Sequence, residues 1–202
     1  VPEEKIVRVG NIMIDTLTEM LTQVRESKFL ATLALQHKEH VVITLHRPSN
    51  VDDPKQLSIL LDEVCKMSET FDIIWPIHPR TKARIQSLGE FEKLQSNSSI
   101  HITKPLGYID FMNCILQSRM VVTDSGGIQE ETTWLGVPCI TLRPNTERPI
   151  TITEGTNVLS TPQRLHREIE RVIGEPRRKK VEIDLWDGKT AQRCVESLLD
   201  FL

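Results

Sequence analysis

The chain has 202 residues, 39% of them hydrophobic and only 4% aromatic, with 25 basic against 28 acidic side chains. That length holds one full hydrophobic core. A formal charge of −3, with no long apolar run and no basic-then-apolar start, gives no reason to propose nucleic acid or a membrane as the main partner, and the expectation is a soluble, cytoplasmic protein.

Residues 1–9 carry Ile6, Val7 and Val9 and read as the end of a strand that lacks a beginning. Asn11 then caps a long helical pattern with Ile14, Leu17, Leu21 and Val24 on one stripe. The H-K-E-H run at 37–40 reads as a solvated helix end rather than a metal pair. From residue 40 strands and helices alternate. Strands are expected at 41–45, 71–75, 100–102, 120–122, 139–142 and 157–159, and helices at 54–70, 80–95, 108–118, 128–135, 162–173 and 190–202. Repeated βα units of this length specify an α/β fold with a doubly wound parallel sheet. Residues 174–188 form an irregular connection whose Arg177-Arg178-Lys179-Lys180 run reads as solvated surface. Cys65, Cys114, Cys139 and Cys194 are scattered and predict reduced thiols with no metal site. Trp75 and Trp134 read as core residues.

The stretch 119–148 organises the rest. A strand at Met120-Val121-Val122 breaks at Thr123-Asp124-Ser125, with Ser125 a good N-cap residue, and Gly126-Gly127 leads into a helix that Gly136 closes. In a parallel sheet that turn lies at the carboxyl ends of the strands, where ligands bind. Adjacent glycines admit a ligand close to the backbone, and a helix N-terminus suits a phosphate. Glu130 and Glu131 can accept hydrogen bonds from sugar hydroxyls; equally, they can serve only the helix N-terminus. The pattern alone leaves both readings open: a nucleotide site, or a plain βα turn. His46 follows the first strand and should reach the same crevice, to bond a phosphate or to order its own loop. Arg47 can neutralise phosphate or pair with Asp52 or Asp53. His78 follows the second strand and reads first as a structural loop histidine. Arg143 and Arg148 bracket the loop after strand 139–142, where guanidinium forks suit a diphosphate; the competing reading pairs Arg148 with Glu147 or Glu154.

Six motifs carry a resemblance: V-G-N-x-x-I-D at 9–15, T-L-H-R at 44–47, P-I-H-P at 76–79, D-S-G-G-I-Q-E-E at 124–131, T-E-R-P at 146–149 and D-G-K at 187–189. In this order they resemble the non-hydrolysing UDP-N-acetylglucosamine 2-epimerases. The resemblance implies the Rossmann-like, C-terminal half of a two-domain enzyme of GT-B type. Residues 1–38 would be an interdomain segment and leading helix, 39–186 the UDP-binding domain, and 187–202 a closing helix that packs towards the first domain. It also implies interconversion of UDP-N-acetylglucosamine and UDP-N-acetylmannosamine by elimination and re-addition of UDP, without cofactor or metal. His46 belongs to the active site in that reading, with Ser125, Gly126, Gly127, Glu131 and Arg148 holding UDP and Glu131 on the ribose. Arg47, His78, Arg143 and Glu130 are further candidates. The carboxylates that move the C2 proton lie in the family's N-terminal half, so this chain alone is expected to be inactive. The full-length enzyme is expected to be a homodimer serving cell-surface polysaccharide synthesis.

Two departures bear on details. Arg47-Pro48-Ser49-Asn50 replaces the family's usual R-R-E-N, near where some bacterial members bind an activator UDP-sugar, and Thr153-Glu154-Gly155-Thr156-Asn157 replaces a shorter turn. A GT-B glycosyltransferase domain and a non-catalytic UDP-sugar sensor are the alternatives.

Overall fold

The structure is a computed structural model that describes residues 2–37, 39–176 and 181–200. Six short β-branched runs form one parallel sheet: β1 (His40–Thr44), β2 (Asp72–Pro76), β3 (Ile100–Thr103), β4 (Met120–Thr123), β5 (Cys139–Leu142) and β6 (Asn157–Ser160). Their order is β3-β2-β1-β4-β5-β6. Connections run outward in both directions from the centre, so the β1–β4 boundary is the topological switch point, where doubly wound sheets bind ligands. Register there pairs Val41 with Met120 and Thr44 with Thr123, so the two central strands end level.

Helices cover both faces. On one lie α1 (Ile12–Glu26), α6 (Tyr108–Gln117) and α7 (Gly127–Leu135), packed on Val42, Ile74 and Val121. On the other lie α3 (Pro54–Met67), α4 (Pro79–Ser87), α5 (Phe91–Ser96) and α9 (Leu165–Gly174), packed on Val41, Ile43, Ile73, Trp75 and Val122. Alternate residues of each strand therefore feed opposite cores, which explains why the central strands are apolar on both faces. Trp75 is fully buried and Trp134 nearly so. Two single-turn helices, α2 (Pro48–Val51) and α8 (Ile150–Thr153), follow β1 and β5, and α10 (Thr190–Leu199) closes the described chain.

Local chemistry sets the helix starts. The Asn11 carboxamide accepts from the Met13 N–H, the Asp53 carboxylate from Lys55 with Pro54 at the first position, and the His78 ring from Arg80 with Pro79 likewise. At the other end of α7, Gly136 adopts φ 72°, and the N–H groups of Gly136 and Val137 bond the carbonyls of Thr133 and Thr132.

Several expectations need correction. The helix expected over 80–95 is two helices, because the chain turns at Gly89, whose φ is 74°. Helix 54–70 ends at Met67. The 37–40 run is no solvated helix end. His40 lies within β1, 5% exposed, with its ring Nε2 on the Cys114 carbonyl at 2.8 Å. His37 reaches Ser68 and Ser99, and the N–H groups of Gln36 and His37 donate to the buried Asp72 carboxylate. Residues 6–9 form no strand, and Ile6 and Val7 are 64% and 50% exposed. Leu21 is only half-buried, whereas Ile14, Leu17 and Val24 are fully so. The cysteines are free thiols, Cys114 and Cys139 buried. The basic run Arg177–Lys180 and the last two residues of the expected closing helix lie outside the described residues.

The first and last motifs meet. The Asp15 carboxylate accepts the N–H groups of Thr190 and Ala191 and so caps α10. Beside it Gly10, at φ 120°, lies so close to the Leu185 carbonyl that a Cβ would stand 2.5 Å from that oxygen.

Candidate active site

The level ends of β1 and β4 bring His46 beside Asp124. The Asp124 carboxylate is fully buried and accepts from the backbone N–H of His46 at 3.0 Å, that of Arg47 at 2.8 Å and the Asn50 side chain at 3.1 Å. Its Oδ1 also lies 2.8 Å from His46 Nδ1. A carboxylate can only accept, so Nδ1 carries the proton and Nε2 is the nitrogen left for the crevice. His46 is thus fixed in tautomer and orientation by a residue the sequence reading treated only as a strand breaker. The His78 ring sits 5.7 Å from the His46 ring, centroid to centroid, while it caps α4, so His78 is both a structural loop histidine and a wall of the same mouth. A cavity of about 180 Å³ opens here, lined by Thr44, His46, Pro76, His78, Pro105, Leu106 and Phe111.

Arg47 pairs with neither Asp52 nor Asp53. Its Nε donates to the Asp124 carbonyl at 2.9 Å, and Asp52 is held by Arg80 and Arg84 instead. Ser125 is not the cap of α7. That helix starts two residues later, at Gly127, because the Ser125 N–H is drawn back to the Thr123 hydroxyl at 3.0 Å. Gly126 takes the cap position, and no side chain caps the helix. Its first-turn N–H groups therefore have no side-chain partner, which is the state a phosphate would complete. A Cβ on Gly127 would meet only the Met13 Cε, at 3.8 Å, so the protein leaves space at that glycine.

The loop after β5 is tied over this turn by Gln129. Its Oε1 accepts from the Thr146 hydroxyl at 2.7 Å and the Asn157 amide at 3.0 Å, and its Nε2 donates to the Ser125 carbonyl at 3.0 Å. The Thr146 hydroxyl in turn accepts the Arg148 N–H at 3.0 Å. This is the physical link between the D-S-G-G-I-Q-E-E and T-E-R-P motifs, and it carries Arg148 over Gly126. There Arg148 is already paired, through Nε to Glu130 at 2.8 Å and Nη1 to Glu147 at 2.7 Å. Glu147 also receives Arg143 Nη2 at 2.7 Å, and Glu130 accepts from the Asn11 amide at 2.9 Å. The competing partner Glu147 is therefore observed, and Glu154 is not among the partners found for Arg148.

Glu131 is 5% exposed, on the next position of α7. Burial pushes its carboxyl up to about 7, the Glu130 charge adds to that, and a hydrogen bond from Tyr108 opposes it. Tyr108, at the start of α6, is one-third exposed and was missed by the sequence reading, although a tyrosine opening a helix at the crevice was a visible signal.

An uncapped helix start at the switch point of a doubly wound parallel sheet is the place where folds of this class commonly take phosphate groups. The family profile described as UDP-N-acetylglucosamine 2-epimerase matches residues 1–199, and the chain belongs to that family. The UDP-N-acetylglucosamine 2-epimerase of Methanocaldococcus jannaschii is 35% identical over 206 residues, covering 98% of this chain and 56% of that protein. A crystal structure of that enzyme in complex with UDP-GlcNAc and UDP superposes with a TM-score of 0.84, again over 98% of this chain and 56% of the other. The Neisseria meningitidis UDP-GlcNAc 2-epimerase bound to UDP-GlcNAc gives 0.81 at 30% identity, over 99% and 57%. The chain thus spans about half the length of the curated relatives it matches. Among the described residues no helix is long and apolar enough to cross a membrane.

Proposed function

We propose that this chain is the UDP-sugar-binding part of an enzyme that interconverts UDP-N-acetylglucosamine and UDP-N-acetylmannosamine. What supports the reading is that His46 is held at the β1–β4 switch point against Asp124, two residues before Gly126, and that Arg148 lies over Gly126. Elimination removes the C2 proton and breaks the C1–O bond to UDP; re-addition returns UDP to C1 and a proton to the opposite face of C2, so UDP must stay bound between the two steps. The diphosphate lies at the start of α7, where its growing charge meets first-turn N–H groups, Arg148 and the outward nitrogen of His46. Ser125, Gly126 and Gly127 supply the close backbone approach, and Glu131 holds the ribose hydroxyls. Arg47, His78, Arg143 and Glu130 support the walls of the site. No cofactor is needed, since proton transfer and elimination proceed on the sugar itself.

Residues 1–38 serve as the interdomain segment and leading helix, 39–186 as the nucleotide domain and 187–202 as the closing helix. The whole enzyme works in the cytoplasm as a homodimer, with the UDP-sugar as its small-molecule partner and no nucleic acid or membrane, and feeds cell-surface polysaccharide synthesis.

Binding and turnover separate experimentally. The chain should bind UDP and gain thermal stability, yet incorporate no deuterium at C2 of UDP-N-acetylglucosamine in heavy water. The acid and base at C2 each contribute about 10²–10⁴ in rate, and this reading takes both from outside these residues. C2 exchange by the purified chain, lost in His46→Ala, would falsify that division. Absence of UDP binding would remove the nucleotide reading altogether.

A further inference from the structure

Above the glycine turn, where the proposed site would take the diphosphate, lies the side chain of Glu147. Glu147 Oε1 lies 2.8 Å from where a Cβ would stand on Gly126, and Arg148 Nη1 lies 3.2 Å from the same point. One oxygen of Glu147 meets Arg148 at 2.7 Å and the other meets Arg143 at 2.7 Å. Arg143 is the buried member of this pair, its side chain 9% exposed, with its Nη1 free of hydrogen bonds among the described residues. Glu147 itself is half-exposed and sits on the loop between β5 and α8, where a side chain can turn into solvent without disturbing packing.

We infer that Glu147 is an internal stand-in for the diphosphate: it holds Arg143 and Arg148 in position over Gly126 while the site is empty, and an incoming diphosphate displaces it. This rests on the nucleotide reading above. The chemistry is an exchange of anions. A carboxylate with two oxygens bridges two guanidinium groups, and a diphosphate offers the same bridge with more charge. The two arginines and the hydrogen bond of its own backbone hold the Glu147 carboxyl down at about 2, so it is anionic at every pH where the protein works. The tether also has a cost for the ligand. Every diphosphate that binds must first break both ion pairs, so the resident carboxylate lowers affinity for the charged part of the ligand and leaves the uridine part untouched. Arg148 keeps its second partner, Glu130, when Glu147 leaves, so the guanidinium is not set adrift.

The stand-in role and a simple positioning role predict opposite signs. If Glu147 only props the arginines in a binding posture, removing it weakens UDP. If it competes, removing it tightens UDP. Calorimetric titration of the full chain with UDP, UMP and uridine decides. Glu147→Gln and Glu147→Ala should tighten UDP by about 5- to 30-fold, tighten UMP less and leave uridine unchanged, the range expected for freeing two charge-assisted contacts. Arg148→Ala in the same series should weaken UDP. Unchanged or weaker UDP binding in both Glu147 variants, with wild-type and Arg148→Ala behaving as stated, overturns the stand-in and leaves the nucleotide site intact. Failure of the wild type and both Glu147 variants to bind UDP overturns both.

Discussion

Replacing Glu131 by glutamine should make the empty protein firmer and the nucleotide complex weaker. The folded carboxyl titrates near 7, against an ordinary value of 4.5. Between those two pH values the folded state holds a proton that the unfolded chain has released, so stability falls as pH rises across the window. The full loss, reached above the folded value, is about 3 kcal/mol. Glutamine has the same shape and no proton to lose, and Tyr108 can still bond it. At pH 5 the variant should match the wild type within about 1 kcal/mol, and at pH 8 it should be more stable by up to about 3 kcal/mol. For a chain of this length that is about 6–12 °C in Tm. Urea denaturation at both pH values, with identical m-values, is the assay. UDP affinity of the same variant should drop by about 1.5–3 kcal/mol, roughly 10- to 150-fold, because ribose hydroxyls lose a charged acceptor. An equal stability difference at pH 5 and pH 8, or a destabilised variant at pH 8, refutes the reasoning.

The wild type should bind UDP about tenfold more tightly at pH 8 than at pH 6, as Glu131 ionises, and Glu131→Gln should abolish that part of the dependence in calorimetry. Gly127→Ala meets only Met13 at 3.8 Å, so its melting point should hold while UDP binding falls about tenfold or more. Gly155→Ala is the contrasting case. Its Cβ would stand 2.3 Å from the Thr151 carbonyl, so the denaturation midpoint should drop by an amount equal to about 2–4 kcal/mol. Asp124→Asn leaves the N–H groups of His46 and Arg47 competing for one carbonyl oxygen, and should cost about 2–4 kcal/mol in the same assay while broadening the His46 ring signals in NMR.

Periodicity showed the strands and most helices because each is a local pattern. The short β-branched runs at Val121 and Ile140 and the glycine that ends α7 needed no tertiary information. Gly89 is the local mark of the break between Pro79–Ser87 and Phe91–Ser96, which a single helix over 80–95 passes over. The approach to β1 does not follow the expected helix end at 37–40 because the N–H groups of Gln36 and His37 are held by Asp72, a partner that no local pattern reveals. The site divides the same way. The glycine turn and His46 were visible as residues after strands, and Ser125 failed as a cap because Thr123 competes for its N–H. Asp124 was invisible in its role, since orienting His46 depends on β1 and β4 being neighbours, which strand order alone decides.

That strand order has a consequence for how the chain finds its shape. Neighbours on each side of the centre are close in sequence: His40 pairs with Asp72, Ile73 with Ile100, Val121 with Cys139 and Cys139 with Asn157. Only the central pair, Val41 with Met120, joins residues 79 positions apart. Closing that span costs roughly 1 kcal/mol more chain entropy than the shorter outer closures. The β1–β3 half and the β4–β6 half should therefore gain structure separately and dock late. His46 and Asp124 stand on opposite sides of that seam, so the crevice should exist only once the two halves have met. Nucleotide would then act as a rivet across the last joint, and hydrogen exchange should show β1 and β4 amides slowing together when UDP is added.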